Sequence, residues 1–79
     1  MGPRQQAIIN FIAEYRELNG YSPTIREIQI GVNLASPSTV DGHLNRLETN
    51  GYITRKTNIP RTILLTAKGD EARSSLQTL

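Results

Sequence analysis

Cysteine and tryptophan are absent, histidine and methionine occur once each, and the only aromatics are three tyrosines and one phenylalanine. Without cysteine there is no disulfide framework and no thiolate ligand, and a single histidine cannot build a His pair or a histidine-rich metal site. Long apolar runs are missing too. The longest uncharged stretch that resembles a signal or membrane segment, residues 28–40, is broken by Gly31, Asn33 and Pro37. Nothing is therefore expected to span a bilayer or direct export, and the expected compartment is the cytoplasm. Length is also short: 79 residues, 37% of them apolar, fill one core of two packed layers. An enclosed active site of several hundred cubic ångströms would compete for the same residues. The expectation is one small domain that is not an enzyme and carries no cofactor or small-molecule ligand.

What is there is arranged by position. The formal net charge is only +2, yet residues 51–69 hold Arg55, Lys56, Arg61 and Lys68 and no acid. The basic charge is concentrated in one stretch, which is a solvated face unless other features point to a polyanion.

Ile8, Phe11, Ile12, Tyr15 and Leu18 recur on one side of a helix running from about Arg4 to Asn19, and Asn19-Gly20 ends it. Tyr21-Ser22-Pro23 then holds the chain extended. Thr24-Ile25-Arg26-Glu27 is a capping box that opens a second helix, with Ile25, Ile28 and Val32 as its buried stripe and Asn33 as its end. Ser36 followed by Pro37 caps a third helix whose core face is Val40, Leu44 and Leu47. Two short helices joined by a tight turn are the helix-turn-helix pattern.

Opposite that core face lie Ser38, Gly42, Asn45 and Thr49, with Arg46 and Thr39 on one flank and Asp41 on the other. An idle solvent face favours Glu and Lys, whereas Ser, Thr, Gly and Asn cost about 0.3 to 1 kcal/mol each relative to Ala. Short polar side chains around a glycine would let a helix lie close in a major groove about 12 Å wide. A close crossing by a neighbouring helix is the rival explanation of Gly42.

After Asn50-Gly51 the composition turns β-branched and aromatic. Tyr52 to Arg55 and Arg61 to Leu65 read as paired strands around a loop at Asn58-Ile59-Pro60. This hairpin carries Arg55, Lys56 and Arg61, so helix, turn, helix and basic ribbon form one surface. Thr66 caps a last helix with a thin stripe of Gly69, Ala72, Leu76 and Leu79. The fold expected is mainly α with a small β-hairpin: three helices, a two-stranded wing and a fourth C-terminal helix. Residues 1–66 would form the winged helix-turn-helix and residues 67–79 a helix or tail.

His43, beside the core stripe of the third helix, reads as a half-buried packing residue. Ser38, Thr39 and Asp41 have no base at a workable position, so no nucleophilic site is expected. Ile30, about 140° from the core stripe of its helix, and Ile59 at the wing tip are candidate partner contacts.

The ordered words Tyr21-Ser22-Pro23-Thr24-Ile25-Arg26-Glu27-Ile28, Ser36-Pro37-Ser38-Thr39-Val40, His43-Leu44, Leu47-Glu48, Gly51-Tyr52-Ile53 and Pro60-Arg61-Thr62-Ile63 resemble the N-terminal DNA-binding domain of the LexA repressor family over about residues 4–65. The resemblance implies a DNA-binding transcriptional regulator, a repressor, whose third helix enters the major groove. By position it places Ser36, Ser38, Thr39, Asp41 and Gly42 near base edges with Asn45 close by, and Arg55, Lys56 and Arg61 at phosphates or the minor groove; the helical projection adds Arg46 to the DNA-facing side of the third helix. Gly2-Pro3 stands where family members have a threonine cap, and this chain has no residues for the family's Ser/Lys self-cleaving domain. Leu65-Thr66-Ala67-Lys68-Gly69 is similar to the entry of a final helix in MarR-like regulators. Double-stranded DNA is the expected partner, with a homodimer through Leu76 and Leu79. The alternatives are a winged-helix protein-interaction module and a DNA-binding fragment of a longer LexA-like repressor.

Overall fold

The structure, a computed structural model, describes residues 1–73. The first helix, α1, spans Pro3–Asn19, with proline at its start and Gly2 as a cap lacking a side-chain bond. It closes at Gly20, whose φ of 79° only glycine adopts without cost and whose N–H bonds the Arg16 carbonyl. Its buried face is Ile8, Ile9, Ile12 and Ala13. That face differs from the stripe expected from sequence: Leu18 is 85% exposed, because it projects about 150° from the centre of the buried arc. Phe11 and Tyr15 lie at the edge of the arc, half-buried.

The second helix, α2 (Ile25–Gly31), starts with both arms of the capping box formed. Glu27 N–H donates to Thr24 Oγ1 at 3.1 Å and Thr24 N–H donates to Glu27 Oε1 at 2.9 Å. Asn33, at φ 58°, turns the chain out of α2 as expected. A Cβ on Gly31 would collide with the Phe11 ring, so α1 and α2 meet through a glycine. The third helix, α3 (Pro37–Thr49), is capped by Ser36, whose Oγ accepts the Thr39 N–H at 3.3 Å, and it buries Val40, Leu44 and Leu47 completely.

The hairpin is shorter than its composition suggested. Strand β1 is Ile53–Thr54 and β2 is Leu64–Leu65, antiparallel with Ile53 opposite Leu65 and Thr54 opposite Leu64. Beyond those two pairs the Thr62 side chain takes over: its hydroxyl accepts the Lys56 N–H at 3.0 Å and lies 2.9 Å from the Ile59 carbonyl it can donate to. Arg61 turns at φ 60°, which removes it from any ladder.

A short α4 (Ala67–Ala72) follows, capped by Thr66 through the Gly69 N–H at 3.1 Å. It packs on α1 and β2. Gly69 is buried so tightly against the Tyr52 carbonyl that a Cβ there has no room. Gln6 Nε2 donates to the Ala72 carbonyl at 2.8 Å, and Arg73 holds Glu17 through both carboxylate oxygens at 2.8 and 3.1 Å. The core thus joins α1, α2, α3 and the wing through Ile8, Ile12, Ile28, Leu44, Ile53 and Ile63. Leu76 and Leu79 lie outside the described residues. Among the described residues no helix is long and apolar enough to cross a membrane.

Candidate nucleic-acid interface

With Val40, Leu44 and Leu47 facing inward, the outward side of α3 follows from helical phase. Ser38, Thr39, Gly42, Asn45, Arg46 and Thr49 are exposed, and Asp41 is half-exposed. Among the described residues a Cβ at Gly42 would meet nothing within 4 Å, so none of their helices crosses there and the strip over Gly42 is open. Ser36 is half-buried, its hydroxyl occupied by the cap and 3.1 Å from the Thr39 hydroxyl. His43 is half-buried, and its buried Nδ1 has no hydrogen-bond partner among the described residues.

The three wing cations are in three different situations. Arg55 lies back against α3: Nη1 donates to Asp41 Oδ1 at 2.9 Å, Nη2 donates to Asn45 Oδ1, and Nε is 3.5 Å from Glu48 Oε1. Its side chain is only 14% exposed. Arg61 reaches the other way, to α2. It grips both oxygens of Glu27 at 3.0 and 3.1 Å, donates to the Ser22 carbonyl at 3.1 Å and the Tyr15 hydroxyl at 3.3 Å, and stacks on Tyr21 at 4.8 Å. Those hydrogen bonds from Arg61, followed by the one from Thr24 N–H, hold the Glu27 carboxyl down to about 2, and Glu27 in turn raises Arg61. Lys56 alone of the three is exposed and without an ion pair among the described residues.

Between wing and helices runs an open cleft of about 740 Å³ whose lining includes Arg26, Asn45, Arg55, Lys56 and Ile59. Arg26 is a residue the sequence reading passed over as a contact. It is exposed on α2 and, like Lys56, has no ion pair among the described residues. Its phase, well away from Ile28, was the available signal. The cleft therefore sets two uncommitted cations beside the short polar ridge of α3, an arrangement suited to a phosphate backbone flanking a groove.

Residues 1–62 match the family described as the LexA DNA binding domain. The chain belongs to this family. It is 51% identical over 65 residues to the LexA repressor of Carboxydothermus hydrogenoformans, covering 82% of this chain and 32% of that protein. It is 52% identical over 63 residues to the LexA repressor of Oceanobacillus iheyensis, covering 80% of this chain and 30% of that protein. The chain thus spans about a third of the length of the curated relatives it matches. In shape it is similar to the crystal structure of a transcriptional regulator from Thermotoga maritima, with a TM-score of 0.68 and 30% identity over 90% of this chain and 47% of that one. As a LexA DNA-binding domain it is a winged helix-turn-helix, with α2 and α3 as the motif and β1–β2 as the wing.

Proposed function

We propose that this chain binds duplex DNA with sequence preference and acts as a transcriptional repressor, with α3 in the major groove and the wing along the backbone. The observation that carries the reading is the open strip over Gly42, bordered by Ser38 and Asn45 and lying beside the Arg26–Lys56 cleft. Family membership and the repressor names of the relatives support it. Ser38, Thr39, Asp41, Gly42 and Asn45 are the base-side residues, with Ser36 at the start of the ridge and Arg46 on its flank. Lys56 lies on phosphates together with Arg26. Arg55 and Arg61, each held by a carboxylate, serve the wing chiefly by fixing where it stands. Two copies on a palindromic site complete the proposal, since one such module buries only about 600 to 1,000 Å² on DNA.

The test is selection from a random duplex pool, followed by affinity measurement at several salt concentrations. An enriched motif and a log–log salt slope of roughly −2 per bound chain are expected from Lys56 and Arg26, and Lys56→Ala should weaken all sequences together and reduce that slope by about one. No enriched motif and an affinity indifferent to salt would leave the protein-interaction module as the better account.

A further inference from the structure

On the ridge of α3, Asp41 and Asn45 stand one helical turn apart, and one guanidinium from the wing holds both. Arg55 Nη1 donates to Asp41 Oδ1 at 2.9 Å while Nη2 donates to Asn45 Oδ1. Arg55 is largely covered, at 14% exposed, so this fork is anchored, whereas Asn45 is exposed. A guanidinium has donors and no acceptor, so the Asn45 atom facing it has to be the amide oxygen. The NH₂ group is turned away from Arg55. An unrestrained asparagine offers a donor and an acceptor side by side and pairs with adenine at N6 and N7. Held by Arg55, Asn45 turns its NH₂ hydrogens outward and keeps its oxygen, one lone pair of which Arg55 occupies, toward the wing.

Resting on the DNA-binding reading above, we propose that Arg55 is a positioning residue that makes Asn45 a donor-only reader. Asn45 then selects a base whose major-groove edge presents an acceptor, guanine above all through O6 and N7, thymine through O4 or adenine through N7, over cytosine, which offers only its amino donor. The reading separates Arg55 from a phosphate contact. Its charge is spent within the protein, and its effect appears as base choice at one position of the operator.

Selection from random duplexes with the full chain tests this through four proteins: the unsubstituted chain, Asn45→Ala, Asn45→Asp and Arg55→Ala, each checked for a cooperative thermal melt. The unsubstituted chain should enrich a motif that excludes cytosine at the Asn45 position and favours guanine there. Asn45→Ala should flatten that position alone, by on the order of tenfold. Asn45→Asp is close to isosteric and still accepts from Arg55, but it turns a second oxygen outward, so the same position should change to cytosine. Arg55→Ala frees the amide to rotate, and cytosine should become acceptable there. A motif that Asn45→Ala leaves untouched, or one that still excludes cytosine in Asn45→Asp, overturns the proposal. Should Arg55→Ala keep the strict preference, the role given to Arg55 falls. If the unsubstituted chain enriches nothing, the failure belongs to the DNA-binding reading and takes this inference with it.

Discussion

Gly42 sits mid-helix, where glycine is about 0.5 to 1 kcal/mol worse than alanine, and its missing Cβ relieves no contact among the described residues. Gly42→Ala should accordingly raise stability by roughly that amount in urea denaturation while weakening duplex binding, because the lost helix propensity is offset only when a groove wall comes close. A variant both more stable and equally tight would show that α3 does not approach DNA along this strip. At the level of single residues the sequence was legible where helical phase alone decides, as for Val40, Leu44, Leu47 and the outward Ser38, Gly42 and Asn45. It was illegible where a partner distant in sequence decides. Arg55 and Arg61 read as free cations on a basic ribbon, but Asp41, Glu48 and Glu27 lie against them, and only folding brings those acids there. Arg26 was missed for the complementary reason: nothing local marks it as left unpaired.

Among the elements, α2 has a start that does two things. The Glu27 carboxylate closes the capping box with Thr24 N–H and at the same time anchors the wing through Arg61. It is held at about 2 against an ordinary 4.5, by Arg61 first and Thr24 second. A carboxyl depressed in the folded state gives stability that is fully present above the unfolded value and lost as the pH falls through the folded one. Part of the folded state's acid sensitivity between about pH 4.5 and pH 2 should therefore belong to Glu27, and Glu27→Gln should flatten that limb in denaturation profiles. An acid limb unchanged by the substitution would assign the titration to other carboxyls. The helices were readable because their caps are local chemistry: Thr24, Ser36 and Thr66 each accept the N–H three residues on. The wing was read too long because β composition continues through Arg61 and Thr62, where the Thr62 hydroxyl and the left-handed turn at Arg61 replace strand pairing. Helix α1 was read with the wrong centre, since Ile8, Phe11, Ile12, Tyr15 and Leu18 form a plausible stripe about as good as the true one through Ile9 and Ala13.

On the scale of the whole molecule, α4 behaves as a lid, closing on α1 through Ala72 and Arg73 and on the wing through Gly69. Cutting the chain after Thr66 should lower the melting temperature, by about 4–8 °C for each kcal/mol lost in a domain of this size. An unchanged melt would make the lid incidental. The same comparison bears on pairing, because a truncated chain that binds both halves of a palindrome as cooperatively as the intact one removes the tail as the dimer element. The buried set and the outward ridge of α3 share no residue, although Ser36 caps the helix and Asp41 and Asn45 hold Arg55. Ser38 and Gly42, which carry neither task, are therefore free to vary in a lineage without each step endangering folding. Asparagine and aspartate codons differ by one nucleotide transition, so a point mutation at position 45, with Arg55 in place to receive either side chain, could move such a protein and its operators to a new pairing in a single heritable step.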